Sequence, residues 1–256
     1  MTPLHIFTLA LDAIDFLPWQ LETFEALNRP WTWHIITGVA DNVADTKWCS
    51  KIAPRLSRDG TEEWLAKHAK HPNIRVYRRQ LWPGKTAMCN AATSKINEDC
   101  VLMQIDADEI WTAGQLEKIC KLYESGSYDR IRFLCRYFVG ESLVVSSNCG
   151  WGNKPGEWSR SWLFRPGMFF TCHEPPVLEG CGRREMSREE SSGHGLVFDH
   201  LAYVMERQVA FKEKYYKYAG AVDGWRRLQA QTEFPCRLKP FMPWVDDGTM
   251  VDKIKA

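Results

Sequence analysis

The chain has 256 residues, 45% of them hydrophobic and 25% charged, with a formal net charge of +1; this suits one large α/β domain with a substantial core and gives no field that would draw nucleic acid. Nine cysteines, an odd number without a C-x-x-C pair, speak against a disulfide framework or a zinc site and fit the reduced thiols of a cytoplasmic protein. No apolar run approaches the roughly 18 residues that span a bilayer, and an N-terminus carrying Asp12 and Asp15 without a basic start does not read as a signal peptide, which leaves at most a peripheral contact with membranes.

In chain order, His5 to Leu11 is a short apolar run placed like a buried first strand. Leu17, Leu21, Phe24 and Leu27 fall at helical spacing, and Arg29-Pro30 ends that helix. Trp31 to Gly38 is a second strand, opening into the polar loop Val39-Ala40-Asp41-Asn42. A helix follows over 61–70, with acids in its first turn, then a short strand from Ile74 to Tyr77, a helix from Lys85 to Ile96 and a strand from Cys100 to Ile105. That strand runs straight into Asp106-Ala107-Asp108-Glu109, and Gln115 to Tyr123 is helical again. Alternating strands and helices predict a parallel sheet covered on both faces, with ligands at the carboxyl ends of the strands.

Beyond residue 128 the pattern changes. Arg130 to Val139 alternates like an antiparallel strand, and a Trp- and Gly-rich loop occupies 150–158. Ser161 to Phe164 and Met168 to Thr171 read as two short strands around the turn 165–167. Residues 182–195 are polar and Gly/Ser-bearing, which predicts a mobile loop able to close over a ligand. A helix is expected over 201–220, and the tail with Pro235, Pro240 and Pro243 reads as irregular. The whole is expected to be a single domain in two halves, 5–125 and 126–256. Of twelve tryptophans, Trp82, Trp151 and Trp158 lie in polar, Gly-rich surroundings, where an indole either meets a sugar ring or anchors a loop.

Asp106-x-Asp108 at a strand end places two carboxylates on one side of the chain. That geometry suits a hard divalent cation, Mn²⁺ or Mg²⁺, bridging a diphosphate; the alternative is a solvated turn. Asp41 is either a hydrogen-bond acceptor for a base or ribose or a turn residue, and Lys85 either meets a phosphate or is a solvated helix-start charge. Asn90 reads as structural. Glu174, beside His173 and ahead of two prolines, is a candidate general base for a hydroxyl acceptor; the pair could instead brace its loop. His200, at a predicted strand end, is a candidate metal ligand or an ordinary core histidine. Lys212, Lys214 and the tyrosines beside them could contact phosphate or acceptor, but most of them read as a solvated, amphipathic helix face.

Taken together, the opening strand, the Asp-bearing loop after the second strand, the Lys-x-x-x-x-Asn helix and VLMQIDADEIW resemble family-2, GT-A-type glycosyltransferases. So do SWLFR at 161–165, Cys172-His173-Glu174-Pro175, Asp199-His200 and FKEKY at 211–215, which are similar to bacterial and viral members that decorate surface glycans. The resemblance implies a Rossmann-like, mostly parallel sheet with a smaller antiparallel acceptor-side portion. It implies a UDP- or similarly activated sugar at Ala10, Asp41, Lys85, Asp106 and Ala107, metal at Asp108 and His200, Glu174 as base, inversion at the sugar, and a glycan or other hydroxyl acceptor. The usual Asp-x-Ser/Thr-x-Asp pattern after strand two is incomplete here. Two other classes remain: a nucleotidyl- or phosphotransferase using the same carboxylates, though no Gly-rich phosphate loop is present, and a non-catalytic sugar-binding module of the same fold.

Overall fold

The computed structural model describes residues 1–43, 46–47, 51–146 and 159–254. Strand β1 (Leu4–Ala10) is buried almost throughout, so it can only lie inside a sheet covered on both faces. Helix α1 (Leu17–Glu25) starts with Pro18 in its first turn and buries Leu17, Gln20, Leu21 and Phe24. Strand β2 (Trp31–Ala40) runs parallel to β1. Helix α2 (Thr61–Lys67) carries Glu62 and Glu63 in its first turn. Strand β3 (Ile74–Trp82) continues five residues beyond the expected Tyr77, and its pairing with β2 slips at Gly38. That glycine has φ +122°, and a Cβ would sit 1.7 Å from the Arg79 carbonyl oxygen, so no other residue fits the bulge.

Helix α3 (Lys85–Thr93), strand β4 (Cys100–Gln104) and strand β5 (Glu109–Ile110) follow, and helix α4 (Ala113–Glu124) is opened by a Thr112/Gln115 capping box. The stretch from Arg130 to Val139 is not one antiparallel strand. It breaks at Phe133 into β6 (Arg130–Arg132) and β7 (Leu134–Tyr137), which join different sheets. Then come β8 (Leu143–Val145), β9 (Ser159–Phe164), and a hairpin of β10 (Phe169–His173) and β11 (Pro176–Glu179).

Residues 182–195 are ordered, against the expectation of a mobile loop. They form β12 (Glu185–Met186), which extends the main sheet beside β6, and α5 (Arg188–Gly193), capped by Ser187. Arg184 pairs with Asp129 at 2.8 Å, and the Ser191 hydroxyl donates to the Arg132 carbonyl at 2.7 Å. Polar bonds to neighbouring backbone and the full burial of Met186 in the core together anchor this segment. Strand β13 (Val197–His200) leads to α6 (Glu206–Tyr216), shorter than the helix expected over 201–220, and to α7 (Ala221–Gln229). The tail is regular in part: β14 (Cys236–Arg237) and β15 (Met250–Lys253) pair antiparallel and close a small sheet with β8.

The seven-stranded sheet has the order β12-β6-β9-β4-β1-β2-β3, parallel except at β9. One face packs Ile6, Trp33 and Met103 against α1 and α4; the other packs Phe7, Ile36 and Leu102 against α3 and the β10–β11 hairpin. The fold class is therefore α/β, a mostly parallel sheet between helical layers with smaller sheets beside it. Among the described residues no helix is long and apolar enough to cross a membrane.

Candidate active site

A cavity of about 480 Å³ opens where β1, β2 and β4 end, the place where an open α/β sheet binds ligands. Ala10 and Asp12 line it from β1, Gly38 and Ala40 from β2, and Lys85 from the start of α3. The loop after β4 contributes Asp106, Ala107 and Asp108.

That loop is held rigidly. The Gln20 amide donates to the carbonyls of Asp106, Ala107 and Glu109 at 2.8, 3.2 and 3.1 Å, and the Asp106 N–H donates to Glu109 Oε2 at 3.0 Å. The Leu201 N–H donates to the Asp108 carbonyl at 2.7 Å, because β5 pairs antiparallel with β13 and sets Glu109 opposite His200. Arg160, on β9, places one guanidinium nitrogen 3.2 Å from Asp106 Oδ2 and 2.9 Å from Glu109 Oε1. Burial alone would raise the Asp106 carboxyl, but Arg160 and the Gln104 amide outweigh it and hold it below the usual range. Glu109, wholly enclosed, is pushed up to about 7 by burial, which Arg160 only partly offsets. The third acid of the cluster is thus a brace for the loop, while Asp106 and Asp108 face the cavity.

The Asp108 carboxylate meets two nitrogen-bearing side chains. His200 Nε2 lies 3.4 Å from one oxygen and Lys212 Nζ 3.6 Å from the other. They outweigh burial and hold Asp108 far below the ordinary carboxylate range. Lys212 is not a solvated helix-face residue: its side chain is 16% exposed, and its ammonium donates to the Ala202 carbonyl at 2.8 Å and sits 4.5 Å above the Tyr203 ring. Two ligands at right angles on one cation with bonds of ~2.1 Å lie about 3 Å apart, so the 3.4 Å between His200 Nε2 and Asp108 Oδ1 fits a shared divalent ion. Among the described residues no group of three or more His, Cys, Asp and Glu side chains is placed to hold a metal ion. Asp108 and His200 are the residues that could hold the ion.

The tip of the β10–β11 hairpin brings His173 and Glu174 to the same end of the sheet. His173 is buried, lines the cavity, and has Nδ1 3.6 Å from Cys89 Sγ. Asn90 donates to and accepts from the Phe170 backbone at 2.8 and 2.7 Å, tying α3 to this hairpin as the structural reading expected. Glu174 is half-buried; burial raises its carboxyl, opposed by the nearby Lys85 and Arg160.

Asp41 lies apart from the cavity lining: it accepts from the Asn42 N–H at 2.9 Å and has Lys51 Nζ 3.8 Å away. At the cavity's β1 edge stands Asp12 instead, with φ +53°, gripped by Arg55 at 2.5 Å and by the Arg58 N–H at 2.9 Å. Helix α6 covers the opening with Arg207, Phe211, Lys212 and Tyr215, and an Arg207–Asp15 ion pair joins it to the loop after β1. Trp82 is buried with its indole N–H on the Thr37 carbonyl at 3.0 Å, an anchor and not a sugar platform. Trp151 and Trp158 lie outside the described residues. Sequence reasoning missed Gln20, Arg160 and the burial of Lys212, since nothing in their local pattern tells an inward polar side chain from a solvated one.

Residues 56–147, a little over a third of the chain, match the model for glycosyl transferase family 2, so the resemblance carried by the motifs is found again over the segment that includes Lys85 and the Asp106–Asp108 loop. Solved structures with similar chain paths include S. aureus TarS 1-349, at 12% identity over 54% of this chain and TM-score 0.39. The same TarS fragment in complex with UDP-GlcNAc matches at 11% identity and the same coverage and score. The mannosyltransferase PcManGT from Pyrobaculum calidifontis, in complex with GDP-Man and Mn²⁺, matches at 11% identity over 94% of this chain and 67% of its own, TM-score 0.46. The matched part amounts to 37% of the TarS 1-349 chain. No curated protein sequence matches this chain.

Proposed function

We propose that this chain is a divalent-metal-dependent glycosyltransferase that moves a sugar, a hexosyl or deoxyhexosyl unit, from a nucleoside-diphosphate donor, UDP before others, to a hydroxyl of a glycan or glycoconjugate, with inversion. The observation that carries the reading is that Asp106, Asp108, Lys85 and His173 line one cavity at the carboxyl end of the parallel sheet, with Glu174 near enough for Lys85, Arg160 and Asp106 to act on its charge. In this reading residues 5–125 hold the donor and 126–256 the acceptor side, as two halves of a single domain working in the cytoplasm.

The division of labour follows from position and charge. Ala10 and Ala107 present small side chains where the donor's nucleoside would pass. Asp106, kept ionised, accepts from a ribose hydroxyl, and Lys85 meets a phosphate or base carbonyl. Asp41 reaches the base only at the rim. A Mn²⁺ or Mg²⁺ ion at Asp108 and His200 would neutralise charge on the diphosphate leaving group. Glu174 takes the proton of the attacking hydroxyl as its oxygen bonds to the anomeric carbon and the diphosphate departs with the electron pair. A carboxyl raised by burial is a stronger base than a solvated one and suits that task.

Thermal melts with UDP, GDP, TDP and CMP, each with and without Mn²⁺ and chelator, test the reading. Protection by at least one nucleotide that disappears with chelator is expected. Metal-independent protection by saccharide alone would replace the transferase with a sugar-binding module.

A further inference from the structure

Lys212 is a lysine where a divalent-cation site would be expected to hold only anions and neutral ligands. Its ammonium lies 3.6 Å from Asp108 Oδ2, on the carboxylate whose other oxygen faces His200. Asp106 and Lys85 also act on it electrostatically, so two ammonium groups and two carboxylates share one end of the cavity. The position is built: the Ala202 carbonyl accepts from the ammonium at 2.8 Å, the Tyr203 ring lies beneath it at 4.5 Å, and the stem rises from the middle of α6.

A dication bound to Asp108 and His200 would lie within a few ångströms of this ammonium. At that range like charges repel in a partly buried site, so the ammonium on Asp108 Oδ2 weakens the hold of the carboxylate on an ion at Oδ1 unless a further anion faces both cations. A diphosphate is such an anion, with oxygens enough to face both. The four-carbon stem lets the ammonium turn from the carboxylate to a phosphate without movement of the helix.

We propose that Lys212 is a diphosphate-binding residue that competes with the metal for Asp108 when no nucleotide is present and couples the binding of metal and donor. This rests on the donor reading above. The coupling is reciprocal: nucleotide raises metal affinity and metal raises nucleotide affinity, both through the same ammonium.

The test compares wild type with Lys212→Met, which keeps the length of the stem and removes the charge. Free Mn²⁺ is followed by electron paramagnetic resonance without nucleotide, and UDP binding at saturating Mn²⁺ by calorimetry. Mn²⁺ alone should bind Lys212→Met about tenfold more tightly than wild type, since a competing charge is gone. UDP with Mn²⁺ should bind it roughly 10- to 100-fold more weakly, the worth of one charge-assisted contact. A purely structural lysine would weaken both or neither. Unchanged Mn²⁺ affinity or unchanged UDP affinity in the variant overturns the proposal. If wild type binds no UDP with Mn²⁺, the donor reading itself has failed. If Lys212→Met does not fold, the wild-type Lys212 ammonium resonance is read instead: it must shift when UDP joins Mg²⁺, and a resonance indifferent to UDP overturns the proposal.

Discussion

His34 sits in the body of the sheet with its Nε2 2.9 Å from His5 Nδ1 and its Nδ1 2.9 Å from the Tyr77 hydroxyl, while His5 Nε2 reaches Glu98 at 3.3 Å. The two imidazoles are 2% and 6% exposed and their rings stack at 5.2 Å. Burial, then the neighbouring His5, pushes the His34 pKa down to about 3. In the unfolded chain it returns to about 6.5. Above pH 6.5 neither state binds the proton and the residue is neutral in the balance. As pH falls from 6.5 towards 3, the unfolded chain takes up a proton that the folded chain refuses, so stability is lost across that window. Each pH unit is worth about 1.4 kcal/mol per proton, which makes the loss about 2 kcal/mol by pH 5. Urea denaturation of wild type and His34→Gln at pH 7.5, 6.5, 5.5 and 5.0 reads the effect of His34 together with its contact to His5, because the groups away from this pair titrate in both proteins. His34→Gln should be the less stable protein at pH 7.5 and should lose about 2 kcal/mol less on going to pH 5. Parallel stability curves for the two proteins would refute the assignment of a neutral, buried His34.

At the candidate active site, Asp108→Ala should abolish metal-dependent UDP binding while the thermal melt without ligand stays cooperative; wild-type affinity would return Asp108 to a turn residue. His200→Ala should raise the Mn²⁺ concentration needed for half-maximal UDP binding by about 10- to 100-fold, with little change once metal saturates, and an unchanged metal titration would make it a core histidine. Glu174→Gln should lower transfer by roughly 10²–10⁴-fold and leave UDP affinity unchanged. Because burial raises the Glu174 carboxyl, the acid limb of kcat/KM should lie above the ordinary carboxylate range, activity falling as pH drops through it, and the limb should vanish in the variant. Joint loss of stability and nucleotide affinity would instead show that the hairpin tip is only braced by this residue.

The first half of the fold was legible because its signals are local. The buried runs Leu4–Ala10 and Cys100–Gln104 carry their own hydrophobic pattern, the Thr112/Gln115 box marks a helix start, and Asp106 and Asp108 announce themselves by following an apolar strand. The end of the sheet at which those carboxylates would stand followed from strand-helix alternation alone. What surrounds them was decided by tertiary pairing. His200 reaches Asp108 through two residues of strand, Glu109 and Ile110, too short a segment to show any periodicity. Lys212 and Arg160 turn inward from a polar helix and from a strand antiparallel to its neighbours, and nothing in their own sequence neighbourhood separates a buried ion pair from a solvated charge. Residues 182–195 show the converse: a polar composition that reads as loose is ordered by Asp129 and by the edge of β6, partners more than fifty positions away along the chain. Hydrophobic burial is written into the order of side chains, since it acts on each segment's own face. Hydrogen bonds and ion pairs need a specific partner at about 3 Å, and that partner exists only once the chain has folded.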